Sequence, residues 1–290
     1  MRSINRLASI GLILIIVFLA CGCAAKNDSC FQKPENPAVR IAALKGPTGM
    51  GMVKLMEDAE TESTAGYEFL LAGAPDEIVG KFVTDEVDIA AVPINLAAAL
   101  YNKTQGKCLI LAVNTLGVLY ILEAGNTVQT IEDLQSKTLA ATGKGSTPEY
   151  VLNSLLHEYA IADKIEIDYK AEHAELAALL AAGKVTLAML PEPNVTTVMM
   201  KNPNFRVALD LTEEWEKATG TKLSQGCVIV RSEFLESYPD AVNQFLHDYN
   251  LSVEYVNSDP ASAAKLIEKH GIMPNAAAAE KAIPRCHIVC

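Results

Sequence analysis

The sequence lacks the charge pattern of a nucleic-acid-binding protein. It has no run of five or more basic residues, and its 35 Asp and Glu residues outnumber its 24 Lys and Arg residues. The formal net charge of −11 would repel a polyanion such as DNA or RNA. The composition therefore excludes a protein that binds nucleic acid through electrostatic attraction.

Sequence motifs of metal-dependent and nucleophilic catalysis are also missing. His157-Glu158 begins a zinc-hydrolase pattern, but Ile161 stands where the second histidine of that pattern is required. No serine lies in a G-x-S-x-G turn, and Thr138 replaces the first glycine of a phosphate-binding loop. His173 is isolated and is interpreted as a residue of a helix surface. We therefore expect a protein that is not an enzyme and that holds no metal or cofactor.

Apolar residues, by contrast, are abundant. Half of the 290 residues are hydrophobic, 20% are charged, and the mean hydropathy is +0.18. This is enough apolar material to form the core of one large domain or two medium ones, so a disordered or low-complexity chain is excluded. The seven cysteines fit neither a cytosolic enzyme nor a disulfide scaffold, and they need another explanation.

The N-terminal segment predicts export from the cytoplasm. Arg2 and Arg6 precede an apolar stretch at residues 7–20. A basic segment followed by an apolar segment of this length is typical of a signal peptide and is short for a membrane-spanning helix. We predict a signal peptide over residues 1–20, with a plain membrane-anchor helix as the alternative.

The end of this stretch carries two of the cysteines. The segment Phe18–Cys23 resembles the lipobox of bacterial lipoproteins, in which a cysteine after small residues receives lipid. Cys21 fits this role best, and Cys23 is the alternative. Residues 21–37 are then predicted to be a lipid-anchored tether, because the segment from residue 24 is polar, contains two prolines and lacks periodicity.

An internal repeat organises the rest of the chain. At an offset of 98 residues, from Ile41 to Leu139, short apolar segments align, and Val87–Pro93 matches Val185–Pro191 at the same offset. Strand-like and helix-like segments alternate throughout, which is typical of α/β proteins. The repeat therefore predicts two similar α/β lobes.

Four segments together resemble the solute-binding proteins of ABC importers. The resemblance is to the nitrate, sulfonate and taurine branch, which includes binders of thiamine precursors, and it extends from about Val39 to Pro284. It implies a two-lobed periplasmic-binding-protein-like fold of type II, with mixed sheets flanked by helices and a hinge between the lobes. The segments are Ala43–Gly51, Val87–Pro93, Gly143–Glu149 and Leu190–Pro193.

The boundaries of the lobes follow from the order of these elements. We predict a first lobe over residues 38–115 and about 236–290, and a second lobe over residues 116–235. Asn114 and Thr115 are expected to be hinge residues, where the chain leaves the first lobe. Chains of this type usually continue as helix after a segment like 282–286, so the last part of the first lobe is expected to be shortened.

The candidate ligand contacts lie in the loops that follow the strands. Open α/β sheets bind ligands beyond the carboxyl ends of their strands, at the N-termini of helices. Plain turns, helix caps and an exposed loop acid are the alternative interpretations. The predicted ligand-binding residues are Lys45, Gly46, Pro47, Thr48, Gly49, Gly73, Asn95, Lys144, Gly145, Ser146, Thr147 and Glu192.

These residues indicate two different ligand chemistries. Glycine-rich loops with free N–H groups, together with Lys45 and Lys144, favour an anionic group. Glu192 instead offers a charged acceptor for an amine or a ring N–H. The sequence leaves the identity of the ligand open.

The resemblance implies an extracytoplasmic solute-binding lipoprotein of an ABC importer. Such a protein would capture a small organic anion or heterocycle, of the sulfonate, nitrate, taurine or thiamine-precursor type, between its lobes. It would deliver this solute to a membrane permease that is driven by an ATPase, and it is expected to be monomeric and held to the outer face of the membrane by lipid. The alternatives are an enzyme on the same fold, similar to a pyrimidine-precursor synthase, and a surface lipoprotein that binds a partner without transport.

Overall fold

The computed structural model describes residues 37–61 and 66–290. The predicted signal peptide, nearly all of the predicted tether and the two candidate lipidation residues, Cys21 and Cys23, lie outside the described residues. Within the described ranges, no helix combines the length and the apolar character that crossing a membrane requires.

Strands and helices alternate along the described chain, as the sequence predicts. The strands are β1 (Val39–Leu44), β2 (Tyr67–Ala72), β3 (Ile89–Pro93), β4 (Cys108–Leu116), β5 (Leu119–Glu123), β6 (Thr138–Ala141), β7 (Glu166–Tyr169), β8 (Leu187–Pro191), β9 (Arg206–Asp210) and β10 (Ser224–Arg231). The α-helices are α1 (Pro47–Met50), α2 (Val53–Thr61), α3 (Pro75–Val83), α4 (Ile94–Lys103), α5 (Thr147–Glu158), α6 (His173–Ala181), α7 (Asn194–Lys201), α8 (Leu211–Thr219), α9 (Ser232–Ser237), α10 (Pro239–Ser258), α11 (Pro260–Lys269) and α12 (Ala276–Ala282).

Local sequence signals mark the ends of the helices. The side chain of Asp210 accepts a hydrogen bond from the backbone N of Thr212 and caps α8. The same helix ends at Gly220, whose φ of 71° is the left-handed conformation that glycine adopts without strain. Pro239 occupies the first turn of α10, where no intrahelical N–H donor is needed.

Two mixed five-stranded sheets form the framework, and helices flank both of them. The first sheet has the order β2-β1-β3-β10-β4 and the second has the order β7-β6-β8-β5-β9. In each sheet four strands run in the same direction, and the strand next to one edge runs antiparallel to both of its neighbours. This confirms the predicted α/β class and the two-lobed fold, and we refer to each sheet with its helices as the first and second lobe.

The chain returns to the first lobe earlier than the predicted boundary near residue 236. β10 pairs with β3 and β4, and Val228 lies between Ala91 and Ala112. The return therefore lies between the end of α8 and Ser224. The composition of residues 224–231 predicts a buried strand but does not indicate the sheet to which it belongs. The boundary differs because the pairing partners of this strand depend on the tertiary fold.

Alternation along the strands builds an apolar layer on each face of a sheet. In the first sheet, Ile41 and Ile89 pack into one buried cluster, whereas the neighbouring Ala42 and Ala90 pack into the cluster on the opposite face. The second sheet is covered on both sides in the same way. Both faces must be buried because helices cover both sides of sheets of this kind.

The C-terminal residues pack against the strand that leaves the first lobe. The backbone N of Leu116 donates to the carbonyl of His287 at 3.1 Å, and the N of Val289 donates to the carbonyl of Asn114 at 3.1 Å. Ile288 is buried and forms a bridge with Thr115. The end of the chain therefore lies directly on the predicted hinge segment.

Each lobe contains a buried carboxylate bound by arginine. In the first lobe, Asp88 is 1% exposed and accepts hydrogen bonds from Arg40 Nη2 at 2.6 Å and from Arg231 Nη2 at 2.9 Å. In the second, Glu123 accepts from Arg206 Nη2 at 2.7 Å and from the backbone N of Thr127 at 2.9 Å. Burial acts to raise the pKa of both carboxyls, but these donors outweigh burial and hold each pKa below its ordinary value.

Candidate functional site

A cavity of about 440 Å³ lies between the two lobes. It is bounded by strand ends and helix starts from both lobes, in the position that open α/β sheets use for ligands. Within residues 37–61 and 66–290, no Phe, Tyr or Trp lines it. Its apolar lining includes six prolines, which are Pro47, Pro75, Pro93, Pro148, Pro191 and Pro193. We call this space the main cavity.

Most of the predicted ligand-binding residues line the main cavity. The first lobe contributes residues of the loop after β1 and the start of α4, and the second lobe contributes the start of α5 and the end of β8. The predicted residues in the lining are Lys45, Gly46, Pro47, Thr48, Asn95, Ser146, Thr147 and Glu192. The repeat therefore located matching loops on both walls.

Two predicted glycines do not line the main cavity. A Cβ atom on Gly49 would lie 2.5 Å from the carbonyl O of Leu44, so this glycine allows the start of α1 to pack against β1. Gly73 is exposed, and the cavity is lined nearby by Pro75 instead.

Lys144 and Gly145 also lie outside the lining. Lys144 places its Nζ over the ring of Tyr169, 5.7 Å from the centroid, which is a cation–π arrangement. The backbone N of Gly145 donates to the carboxylate of Glu149 at 2.6 Å. Both residues are therefore engaged within the second lobe.

A hydrogen bond crosses the main cavity between two predicted ligand residues. The Thr147 hydroxyl, at the start of α5 in the second lobe, donates to Asn95 Oδ1, at the start of α4 in the first, at 3.1 Å. The described structure thus holds the lobes in contact. A ligand that uses either group must share or replace this hydrogen bond.

Ser146 occupies the N-cap position of α5, but its hydroxyl does not cap the helix. The hydroxyl donates to the carbonyl of Gly143 at 2.7 Å and stabilises the turn that precedes the helix. The alternative interpretation of Ser146 as a capping side chain is therefore not supported by its geometry.

The predicted hinge residues are buried at the end of β4. Asn114 donates from Nδ2 to the carbonyl of Thr48 at 3.2 Å and accepts from the Thr115 hydroxyl at 3.2 Å. Thr115 itself lines the main cavity. The end of β4 therefore connects the loop after β1 to the crossing between the lobes.

Glu192 lines the main cavity, but its carboxylate is occupied by protein groups. Oε2 accepts from the backbone N of Thr196 at 3.1 Å, and Oε1 accepts from the Thr196 hydroxyl at 2.9 Å and from Arg285 Nε at 2.5 Å. Burial raises the pKa of this carboxyl, and the nearby Arg285 guanidinium acts in the opposite direction. Glu192 therefore lies just before α7 and connects this helix to the C-terminal segment, which argues against its predicted use as an acceptor for an amine ligand.

Sequence reasoning missed three polar residues of the main cavity, which are His173, Asn194 and Gln225. His173, at the start of α6, contacts the Thr142 hydroxyl through Nδ1 at 2.6 Å, and burial lowers the pKa of its imidazole. Gln225 accepts a hydrogen bond from the backbone N of Val118 at 2.6 Å and so joins β10 to the start of the second lobe.

The repeat contained a signal for one of these residues. His173 lies 98 positions after Pro75, and both residues line the main cavity from equivalent helix starts. Gln225 had no comparable signal, because its position depends on the pairing of β10 in the first sheet.

One group of potential metal ligands is present among the residues that the structure describes. Glu57, Glu60 and His270 bring their ligand atoms within 4.8 Å of one another. Lys269 already forms ion pairs with both glutamates, at 2.5 and 3.2 Å, so this is an ion-pair network. None of these residues lines the main cavity.

Solved structures with the same architecture include several binding proteins. A crystal structure of an ABC transporter from Parabacteroides distasonis is 24% identical over 87% of this chain and 85% of its own, with a TM-score of 0.69. The periplasmic aliphatic sulphonate binding protein of Escherichia coli is 17% identical over 86% and 84%, with a TM-score of 0.69. The alkanesulfonate-binding protein of Xanthomonas axonopodis pv. citri, bound to MOPS, is 18% identical over 87% and 86%, with a TM-score of 0.61. At these identities the likeness establishes the periplasmic-binding-protein fold.

Comparison at the level of sequence gives a family. No curated protein matches the chain significantly. The model of a protein family described as menaquinone biosynthesis (VitK2_biosynth), however, matches residues 50–283, a range that includes most of both lobes. The chain therefore belongs to the menaquinone biosynthesis family.

Proposed function

We propose that this protein is the extracytoplasmic solute-binding component of an ABC importer. Its ligand would be a small organic anion or heterocycle, held in the main cavity. The observation that carries the proposal is that the main cavity is built from equivalent loops of two lobes, so a ligand can contact both at once. The fold shared with ABC-importer binding proteins supports the same role.

The charges of the main cavity favour an anion over an amine. Lys45 is exposed at the cavity, whereas the one carboxylate in the lining, that of Glu192, already binds Arg285 and Thr196. The apolar proline surface favours an organic ligand over a bare inorganic ion. Sulfonates and acidic or neutral heterocycles meet these requirements better than nitrate does.

Ligand binding would stabilise the closed arrangement of the lobes. A ligand that contacts both walls interacts fully only when they approach each other, so it shifts the population toward the closed state. We assign the hinge to Asn114 and Thr115 at the end of β4, together with the return of the chain before Ser224. The closed form would dock on a membrane permease that works with an ATPase, with the protein acting as a monomer.

Export and anchoring complete the proposal. We propose that residues 1–20 are removed as a signal peptide and that Cys21, or alternatively Cys23, receives lipid and holds the protein on the outer face of the bacterial membrane. Mass spectrometry of the mature protein from bacterial membranes would test this. A lipid on Cys21 that disappears in Cys21→Ala supports the assignment, and an unmodified N-terminus contradicts it.

Ligand binding can be tested directly on the purified protein. We expect a thermal-shift screen of sulfonates, taurine, nitrate and thiamine precursors to find at least one compound that raises the melting temperature. Small-angle X-ray scattering should then detect any further closure. The variant Lys45→Met should weaken the binding of an anionic compound found in the screen. Lys184→Met, at an exposed site away from the main cavity, should not. A screen without any stabilising compound would count against the proposal.

An enzyme on the same fold is the second candidate. It is favoured by the description of the family and by His173, a half-buried imidazole at the main cavity whose pKa is lowered by burial. Prolonged incubation with each stabilising compound, followed by NMR, separates the two functions. An unchanged compound supports binding, and conversion that is lost in His173→Ala supports catalysis.

A further inference from the structure

A second cavity of about 620 Å³ opens beside the main cavity. The two cavities share four lining residues, which are Lys45, Gly46, Pro193 and Asn194. One wall of the second cavity is α7 of the second lobe, and the opposite wall is the segment 272–278 of the first lobe. We call this space the side cavity. Like the main cavity, it has walls from both lobes.

The lining of the side cavity combines apolar surface with positive charge. Met200, Ile272 and Met273 supply apolar side chains, and Lys45 and Lys201 supply two ammonium groups. Among the residues that the structure describes, no Asp or Glu lines it. In a chain with a net charge of −11, two lysines without an acidic neighbour in the lining form an unusual electrostatic environment.

We propose that the side cavity is a second ligand subsite, which binds an acidic group carried on an apolar linker. The remaining part of the same ligand lies in the main cavity. Lys201 is the specificity-determining residue, because it lines the side cavity and not the main cavity. The inference rests on the proposed function, and it narrows the ligand class to elongated amphipathic acids.

The arrangement divides two kinds of recognition between the cavities. Away from the shared Lys45, the polar groups of the main cavity include Asn95 and Thr147, and these suit a ring or chain that forms hydrogen bonds. The lysines of the side cavity suit a carboxylate, sulfonate or phosphate group. An acid of this kind reaches a lysine and apolar side chains at once, and its apolar linker is removed from water.

Binding in the side cavity also couples to the closure of the lobes. Lys201 belongs to α7 in the second lobe, whereas Met273 lies in a segment that packs with the first. A ligand that spans both cavities therefore adds a second set of contacts between the lobes. An elongated acid should favour the closed state more than its shorter relatives do.

The experiment compares an acid with its uncharged amide. Isothermal titration calorimetry is performed with 4-phenylbutyrate, 4-phenylbutyramide and benzamide on the wild-type protein and two lysine variants. We expect the wild type to bind the acid about tenfold more tightly than the amide, as charged hydrogen bonds typically provide. Lys201→Met should reduce this preference, because only Lys45 then remains in the lining, and the matched variant Lys184→Met should retain it in full.

A second pair of variants tests the space rather than the charge. Met200 is 43% exposed and lines the side cavity, so Met200→Trp should narrow this cavity without disturbing the core. We expect Met200→Trp to weaken the binding of 4-phenylbutyrate about tenfold or more, which is the equivalent of losing two buried methylene groups. The binding of benzamide should not change. Leu251→Trp, at an exposed position of α10, is the control.

The possible results distinguish the inference from the proposed function. If acid and amide bind equally, or if Lys201→Met and Lys184→Met have the same effect, the side cavity is not a subsite, although binding in the main cavity stands. If none of the three compounds binds the wild type but a compound of the thermal-shift screen does, the inference is contradicted and the proposed function stands; if the screen also finds no ligand, both are contradicted. Thermal unfolding of each variant confirms that it is folded.

Discussion

The two lobes share one strand order but obtain it from different parts of the chain. In the first sheet, the fourth position is occupied by β10, which arrives after the whole second lobe. In the second sheet, the same position is occupied by β5, which arrives directly from the first lobe. Each lobe therefore receives its antiparallel strand from the segment that crosses between the lobes. The comparison shows that the repeat extends beyond the aligned segments to the connections.

The two lobes have equivalent strand orders but different buried ion pairs. Asp88 and Arg40 belong to a buried ionic network in the first lobe. At the repeat offset of 98 their counterparts are Thr186 and Thr138, and both of these residues are exposed. The backbone topology has thus been retained while the charges that stabilise each lobe differ, and variants of these charges test how independent the lobes are.

The largest effect is expected when the carboxylate of the first lobe is neutralised. Asp88→Asn leaves Arg40 without its anion and leaves Arg231 paired only with the exposed Asp85, and breaking a buried ion pair in this way typically costs about 3 to 5 kcal/mol of unfolding free energy. Glu123→Gln should cost only about 1 to 3 kcal/mol, because it separates a single arginine, Arg206, from its anion and the amide oxygen can still accept from the backbone N of Thr127. Urea denaturation measures both, with the exposed Glu158→Gln as control, and equal losses would contradict the distinction.

The two crossings between the lobes should differ in their tolerance of a methyl group. A Cβ on Gly117 would lie 2.0 Å from the Thr212 hydroxyl, so Gly117→Ala should cost about 1 to 3 kcal/mol through overpacking. At Gly220 a Cβ meets nothing within 4 Å, and Gly220→Ala should cost only about 1 kcal/mol through its left-handed backbone.

Rescue by a second substitution checks the steric explanation. Thr212→Ala removes the clashing hydroxyl and should recover part of the stability lost in Gly117→Ala, but none of that lost in Gly220→Ala. Thermal unfolding of the single and double variants measures the difference. Purely additive effects at Gly117 and Thr212 would exclude the clash as the cause.

Acid should weaken both lobes through the same physical mechanism. The pKa values of Asp88 and Glu123 are lowered in the folded protein, so the stability that they contribute is present above about pH 4. As the pH falls below that value, the unfolded chain binds more protons than the folded chain, and the free energy of unfolding therefore decreases. We expect a smaller loss between pH 5 and pH 3 in Asp88→Asn than in the wild type, and a parallel pH dependence would contradict this.

The smallest expected effect concerns the contact between the lobes. Asn95→Ala and Thr147→Val each remove the hydrogen bond that crosses the main cavity, which should cost about 0.5 to 1.5 kcal/mol. A double-mutant cycle measured by thermal unfolding should give a coupling of similar size. An absence of coupling would show that the lobes do not depend on this bond in solution.

The sequence was sufficient to predict the framework of the fold. The common offset of 98 residues located both sheets, and the predicted segments 87–93 and 185–191 contain β3 and β8. The return of the chain was placed too late because the partners of Ser224–Arg231 are set by long-range pairing. A segment of buried apolar residues has the same composition in either sheet.

The candidate site was predictable to the level of loops but not of side-chain direction. The loops after β1, β3, β6 and β8 do line the main cavity. Whether a charged residue in such a loop faces the cavity depends on the partners that it finds elsewhere. Lys144 finds the ring of Tyr169, and Glu192 finds Arg285, a residue 93 positions later in the chain. Proximity in sequence contains no signal for such distant partners.

The exchanged positions of β5 and β10 have a practical consequence for dissecting the molecule. A gene fragment that ends at Gly117 would encode a first sheet without β10, leaving β3 and β4 with no strand between them. A fragment that begins at Gly117 would include β10 without its sheet, and the apolar side chains of this strand would be exposed. To produce the first lobe alone, a gene must therefore be redesigned so that residues from Ser224 onward follow directly after the segment before Gly117.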